Sequence, residues 1–284
     1  MKQSLYPPSR LVIEDIVRRA LLEDVAHGDP TTEATIAAGS LGEAAVVARH
    51  PQIISGLIVL EAVYALLDTA VQVAPRRADG ERAEAGAEVA RVRGPSASIL
   101  VGERVALNFM QRMGGVATLT GRYASCLPAG SQTRITDTRK TTPGLRALER
   151  YAVRCGGGIN HRENLGSAVL IKDNHIAAAG GVADAIARAR ARAPHTSRIE
   201  CEVDTLEQLD LALAAGADIL LIDNFDDEAA AEAVRRVGGR ALVEASGGIR
   251  PERVRALAEA GVDVISVGAL THSAPAVDLG LDWR

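Results

Sequence analysis

Three clusters of Arg, Lys and His fall between Asp137 and His175: Asp137-Thr-Arg139-Lys140-Thr-Thr-Pro-Gly144, Gly156-Gly-Gly158-Ile-Asn160-His161-Arg162, and Ile171-Lys172-Asp173-Asn174-His175. Each lies beside a glycine turn or at the end of an apolar run. Cations concentrated in this way suit a small molecule with several negative charges, a carboxylate or a phosphate. Arg139 and Lys140 follow an apolar run directly and precede Thr-Thr-Pro-Gly144, a turn able to hold both over a pocket; standing alone, the pair would be an ordinary solvated strand end. The Gly156–Gly158 run is either a flexible connection or a turn whose backbone N–H groups approach an anion. Lys172 closes an apolar run, and a buried strand seldom ends in Lys-Asp-Asn-His without a use for those groups. Glu202 and Asp223 end successive apolar runs and read as salt-bridge partners or as a Mg²⁺ or ribose site, since Mg²⁺ takes one or two carboxylates together with substrate phosphates. Ser246-Gly247-Gly248 and Gly268-Ala269-Leu-Thr-His272 follow the last two runs and offer backbone N–H groups to a phosphate.

These cations are local, because the formal net charge is −4 and the surface as a whole is not basic. Aromatic residues make up 2% of the chain, too few to stack on single-stranded nucleic acid, so no nucleic-acid partner is expected. The three cysteines, Cys126, Cys155 and Cys201, are odd in number and form no Cys-x-x-Cys pair, which argues for inert thiols in a reducing compartment. No apolar run approaches the roughly 18 residues of a membrane span. The Met1–Arg10 stretch has no hydrophobic signal core, so the cytoplasm is expected. His27, His50 and His195 have no partner pattern and receive no role.

The elements that must position the clusters divide the chain into two characters. Ile13, Ile16, Val17, Ala20 and Leu21 predict an amphipathic helix over Leu11–Asp24. His27–Thr32 is turn chemistry; a strand is expected at Glu43–Arg49, a helix at Leu57–Leu67, a strand at Val71–Val73, a surface hairpin or loop at Asp79–Ala90 and a long helix at Ser96–Met113. From Thr133 onward, short Val/Ile/Leu runs alternate with Ala-rich amphipathic segments, including Val182–Ala193, Leu206–Ala215 and Pro251–Ala260. The strands expected are 134–137, 168–172, 199–203, 219–223, 241–245 and 262–267, each nearly continuous in apolar residues as parallel strands buried on both faces are. The polar residues sit at one end of every unit, as on the active face of an α/β barrel. An open doubly wound sheet would carry a glycine-rich phosphate loop after its first strand, and neither G-x-G-x-x-G nor the Walker A pattern is present there.

Taken in order, Asp137–Arg146, Tyr151–Gly158, Asn160-His-Arg162, Leu170–His175, Ile222-Asp-Asn224 and Gly261–Ser273, with Glu23-Asp24 and Gly28–Thr32 near the N-terminus, closely resemble the quinolinate phosphoribosyltransferase family, the carboxylating nicotinate-nucleotide pyrophosphorylases. The resemblance covers nearly the whole chain. It implies an N-terminal open α/β sandwich, residues 1–112 joined by the tail 273–284, and an incomplete parallel α/β barrel over 113–272, the type II phosphoribosyltransferase architecture, in a dimer or a hexamer of three dimers. It implies a pentosyltransferase that converts quinolinate and phosphoribosyl pyrophosphate (PRPP) to nicotinate mononucleotide, pyrophosphate and CO₂ with Mg²⁺ and no organic cofactor, a step of NAD biosynthesis. Carried over by position, Arg139, Lys140, His161, Arg162 and Lys172 would grip quinolinate, and Arg104 would reach in from the partner subunit. Lys140, Lys172, Glu202 and Asp223 would serve catalysis. Glu202 and Asp223 would face ribose and metal, and Ser246, Gly247, Gly248, Gly268, Ala269 and His272 the phosphate. The chain departs from the family pattern at Gly114-Gly-Val-Ala-Thr118, usually Ser-Gly-Ile-Ala-Thr, and at Glu163-Asn164, usually an apolar-Gly pair.

The chemistry is coherent without the resemblance, since a dianion and a pyrophosphate together call for five or six cations in one mouth. Two rivals remain at this stage. A molybdenum-transport-associated homologue shares the barrel but is expected to differ in the Lys-Asp-Asn-His stretch, and a catalytically silent anion-binding protein would bind without releasing pyrophosphate.

Overall fold

The computed structural model describes residues 5–284; residues 1–4, at the start of the Met1–Arg10 stretch discussed above, lie outside them. The chain forms two compact units, one of residues up to Gly121 with Lys140–Gly157 and Ala269–Arg284, the other of Arg122–Arg139 and Gly158–Gly268. This division differs from a boundary at residue 112. The long helix runs over Ser96–Ala124, eleven residues beyond the expected Met113, and carries the first unit with it.

Gly114 and Gly115 do not end that helix because they make room for the tail. A Cβ on Gly115 would lie 2.0 Å from the Pro275 carbonyl oxygen, and one on Gly114 would lie 2.7 Å from a Val277 methyl. A helical glycine costs only about 1 kcal/mol, which this close approach offsets. The tail then adds the strand Leu279–Trp283 to an antiparallel sheet of Leu41–Ala48, Glu88–Pro95 and Gln72–Pro75, as an edge strand paired with Leu41–Ala48. Ala44–Val46 and Ala48 on the central strand are fully buried. Helices Arg10–Val25 and Leu57–Leu67 pack together in the same unit.

Two local expectations are corrected. The turn at His27–Thr32 opens a short helix, Pro30–Thr35, because Asp29 caps it, accepting from the Thr31 and Thr32 N–H groups at 3.0 and 3.1 Å, with Pro30 at the first helical position. The Asp79–Ala90 stretch is neither a hairpin nor all surface, since Arg82–Ala83 pairs with Gln52–Ile53 instead of with Glu88–Pro95. Ala83, Val89 and Ala90 are buried, and Asp79 turns inward, accepting from the Leu57 N–H at 3.2 Å and the Tyr151 hydroxyl at 3.0 Å.

The second unit is a six-stranded parallel sheet in the order Arg134–Thr136, Val264–Ser266, Leu242–Ser246, Ile219–Asp223, Ile199–Val203, Val169–Ile171. Helices Val182–Arg192, Leu206–Ala214, Asp227–Val237 and Pro251–Ala260 connect the strands in alternation. The strands end within two residues of the sequence expectation, because each is an apolar run bounded by polar residues. Among the described residues no helix is long and apolar enough to cross a membrane.

Candidate active site

At the polar ends of the barrel strands, Lys172 forms an ion pair with Glu202. Lys172 is the N-cap of the helix Asp173–Ala179, and its N–H is taken by His175 Nδ1 at 3.0 Å. The Lys172 side chain is 46% exposed and that of Glu202 13%, so the pair opens to solvent on the lysine side. Asp223, on the adjacent strand, accepts from the Asn224 amide at 2.7 Å. Asn224 has φ +58°, the one positive φ of a non-glycine residue among those described, and its N–H donates to the Ser246 carbonyl at 3.1 Å. Gly247 has φ +92°, and a Cβ there would sit 2.2 Å from Asn224 Oδ1. Asn224 and the Ser246–Gly248 turn are therefore fitted to each other, and only glycine satisfies both the backbone and the space. Gly268, partly buried, follows the last strand.

A second group is built around Asp137, which is fully buried. Its carboxylate accepts from the Asn160 amide at 2.7 Å and from the His161 N–H at 2.8 Å. Ile159 bridges Thr136 beyond one edge of the sheet, yet the His161 side chain reaches Glu200, on the strand next to the opposite edge, and Glu244. The sheet therefore curls into an incomplete barrel. Burial opposes a charged His161 ring, but hydrogen bonds to Glu200 and Glu244 outweigh it and push the group up to about 10; burial in turn raises Glu200 against the pull of His161. Nε2 faces the two carboxylates at 3.3 Å each, and Nδ1 lies 2.7 Å from the Arg162 backbone nitrogen. The same three residues cluster closely enough to surround a divalent cation, but such an ion would need the Nε2 lone pair that a proton occupies in the charged ring. Arg162 also donates to the Ala168 carbonyl at 3.2 Å. Burial, and then the Arg139 charge, lower its pKa, while the Glu200 carboxylate pulls the other way.

Within the first unit, Lys140 is exposed, and its carbonyl accepts from the Thr271 hydroxyl at 2.7 Å. Thr271 precedes exposed His272 on the short helix Ala269–His272, where Ala269 is partly buried and His272 Nδ1 lies 2.6 Å from Ser273 Oγ. Both segments rest on one buried ion pair. Arg112 Nη2 lies 2.8 Å from Glu149, which also holds the Thr142 N–H and hydroxyl at 3.0 and 2.7 Å. Arg112 further donates to the carbonyls of Thr271 and Ala274. Sequence reasoning missed this pair. The available signal was Glu149 on the apolar face of the helix Arg146–Cys155, beside Leu148, Tyr151 and Ala152. Arg104, on the long helix, is 61% exposed, with the Glu103 carboxylate 4.0 Å away.

The Gly156–Gly158 turn is a correction. The N–H groups of Gly156 and Gly157 end the helix by donating to the Ala152 and Arg154 carbonyls at 3.0 Å, and a Cβ on Gly156 would lie 2.3 Å from the Ala117 carbonyl oxygen. Packing and chain reversal account for these two glycines, whose N–H groups are already spent inside the helix. The three cysteines are free thiols; burial pushes Cys155 up to about 12 and Cys201 up to about 11, so both are poor nucleophiles.

Comparison with known proteins bears on the whole chain. Residues 29–114 match the quinolinate phosphoribosyl transferase N-terminal domain, and residues 116–282 the C-terminal domain. The chain is 45% identical over 276 residues to the nicotinate-nucleotide pyrophosphorylase [carboxylating] of Mycobacterium leprae, covering 94% of this chain and 96% of that protein. It is 42% identical over 274 residues to the probable enzyme of the same name from Bacillus subtilis, covering 96% and 94%. The solved nicotinate-nucleotide pyrophosphorylase of Francisella tularensis superposes with a TM-score of 0.92 at 36% identity over 100% of both chains. With both domains matched in order and a common fold along the full length, the chain belongs to the quinolinate phosphoribosyltransferase family.

Proposed function

We propose that this chain is a quinolinate phosphoribosyltransferase, a pentosyltransferase that makes nicotinate mononucleotide, pyrophosphate and CO₂ from quinolinate and PRPP in de novo NAD biosynthesis. The observation that carries the reading is the match of both family domains, in order, along the chain. Arg139 and Arg162, both partly buried, are guanidinium groups of the kind that pairs with the carboxylates of a dianion. Arg139 and Arg162 take quinolinate's carboxylates, with Lys172 at the end of its strand and Lys140, the next residue after Arg139, as further cations. Lys172 is paired with Glu202, which places its ammonium where a substrate carboxylate can compete for it.

In the first step the pyridine nitrogen forms a bond to the anomeric carbon as the bond from that carbon to pyrophosphate breaks. Positive charge develops on the sugar, where Glu202 and Asp223 supply compensating carboxylates. In the second, the bond from the ring to the 2-carboxylate breaks, CO₂ leaves, and the electron pair remains on the ring carbon beside the cationic nitrogen until a proton is taken up. The ring is its own electron sink, so the protein's work is to hold the 2-carboxylate among cations and away from water. Glu202 and Asp223 end neighbouring strands and suit Mg²⁺ bound chiefly through substrate phosphates and water; the ion would neutralise the departing pyrophosphate. The backbone of Ser246–Gly248, with Gly268, Ala269 and His272, takes the 5-phosphate. The working form is a cytoplasmic homodimer, or a hexamer of such dimers, in which the exposed Arg104 serves the partner's site.

The test is to incubate the purified chain with quinolinate, PRPP and Mg²⁺ and to measure nicotinate mononucleotide and CO₂ together. Product formation with CO₂ in equal amount is expected. Tight quinolinate binding without pyrophosphate release would refute the reading.

A further inference from the structure

The reaction described above gives no task to Arg112 or Glu149, yet the first unit commits an ion pair to them in which the Glu149 side chain is 1% exposed and that of Arg112 25%. Exchanging such a pair for apolar side chains is often neutral for stability, so burial alone does not explain it. Its hydrogen bonds do. Glu149 accepts from Arg112 Nε and Nη2 at 3.0 and 2.8 Å, and from the Thr142 N–H and hydroxyl at 3.0 and 2.7 Å. Arg112 Nη1 donates to the Ala274 carbonyl at 2.9 Å, and Nη2 donates to the Thr271 carbonyl. The Thr271 hydroxyl in turn donates to the Lys140 carbonyl at 2.7 Å. These bonds close a circuit from Lys140 through Thr271, Arg112 and Glu149 to Thr142, two residues along the chain from Lys140 itself. On both segments the circuit grips backbone, while Lys140 and His272 are exposed. A planar guanidinium spans several acceptors at fixed angles, which a point charge does not.

We infer that Arg112 and Glu149 are positioning residues, which fix the backbone of Lys140–Thr142 against that of the helix Ala269–His272. A cation on the quinolinate side and the phosphate-side helix are then set by one ion pair, and loosening it disturbs both together. Neither Arg112 nor Glu149 touches a substrate in this scheme. The kinetic consequence rests on the quinolinate reading given above; the circuit itself does not.

The test uses the full-length protein carrying Arg112→Met together with Glu149→Leu, which removes both charges at once and strands neither. Hydrogen exchange of the ligand-free protein is the first arm. Backbone amides of residues 140–145 and of residues 269–274 should both exchange about tenfold faster than in wild type, with those of the parallel sheet unchanged. Faster exchange in one segment alone, or in neither, would overturn the proposal. Kinetics per folded molecule are the second arm. The KM for quinolinate and the KM for PRPP should each rise about tenfold, the size of one lost charge-assisted contact. A pair that only supports the fold would lower the folded fraction and leave both KM values at wild type, and that result, or a rise in one KM alone, would also overturn the proposal. If the wild type does not turn over quinolinate, the substrate reading fails and the exchange arm alone decides the circuit. Should the double variant not fold, Arg112→Lys takes its place, since its ammonium keeps the charge beside Glu149 without spanning both carbonyls. It should show the same paired exchange and a paired rise in KM of about threefold, and an unchanged pair of KM values with unchanged exchange would overturn the proposal.

Discussion

Asp79 should make the protein less stable as pH rises from about 4 to about 6. Its carboxylate takes the Leu57 N–H at 3.2 Å and the Tyr151 hydroxyl at 3.0 Å, yet burial outweighs those bonds and raises the group from 3.8 to about 6. The folded protein therefore keeps a proton that the unfolded chain has released, and between the two values the folded state binds more protons. This contribution is complete below the unfolded value and is lost as pH climbs through the folded one. At about 1.4 kcal/mol per pKa unit, the loss comes to about 3 kcal/mol. Replacing Asp79 by Asn removes the titration while keeping an acceptor for Leu57 and an amide facing Tyr151. Urea unfolding of wild type and Asp79→Asn at closely spaced pH values from 4 to 7.5 gives the difference curve, in which all other titrating groups cancel. The variant's relative stability should grow by about 3 kcal/mol across that range and then level off. A difference curve that stays flat, or that runs the other way, would refute the reasoning.

Lys140→Ala and Lys172→Ala should each lower kcat/KM by about a hundredfold or more, while melting temperatures stay near wild type, since exposed ion pairs contribute about 1 kcal/mol at most; a Lys172→Ala protein that loses stability but keeps turnover would make the residue structural. Nicotinate, with one carboxylate, should be a very poor substrate beside quinolinate in a direct kcat/KM comparison, and comparable turnover would contradict the dianion site. Mixing inactive Arg104→Ala chains with inactive Lys172→Ala chains should restore activity, one intact mouth per mixed dimer, and silence after confirmed subunit exchange would place Arg104 in its own chain's site. Gly247→Ala should push against Asn224 and force a positive φ on alanine, costing about 1–3 kcal/mol of stability and raising the KM for PRPP; an unchanged thermal melt and KM would contradict the fitted turn.

The barrel was legible because its strands are buried on both faces and so appear as nearly continuous apolar runs bounded by polar residues: Lys172, Glu202, Asp223 and Ser246 all stand at or beside a strand end, where the pattern put them. The glycines were less legible. Gly114 and Gly115 look like a helix end and Gly156–Gly158 like an anion loop, but local sequence does not reveal a neighbour that approaches from far along the chain, such as Pro275 on Gly115. Supporting charges were hidden for the same reason. Glu200 lies two residues before Glu202 in an otherwise apolar strand, and that repetition on one face was the available hint; its partner His161 lies 39 residues earlier. Arg112 and Glu149, 37 residues apart, are visible as a pair only in three dimensions.

The tail strand has a consequence for how the chain is made. Leu279–Trp283 completes the sheet against Leu41–Ala48, Arg49 grips Asp282 at 2.5 Å, and residues 275–277 fill the groove left by Gly114 and Gly115. During synthesis the N-terminal strands emerge first and wait with an open edge while the whole barrel is translated. Only once residues 275–283 have been made can that edge close. A chain lacking that stretch would hold every barrel strand and yet offer an unpaired strand of its first sheet to its neighbours. The order of synthesis thus leaves the first sheet to be closed after the barrel strands exist.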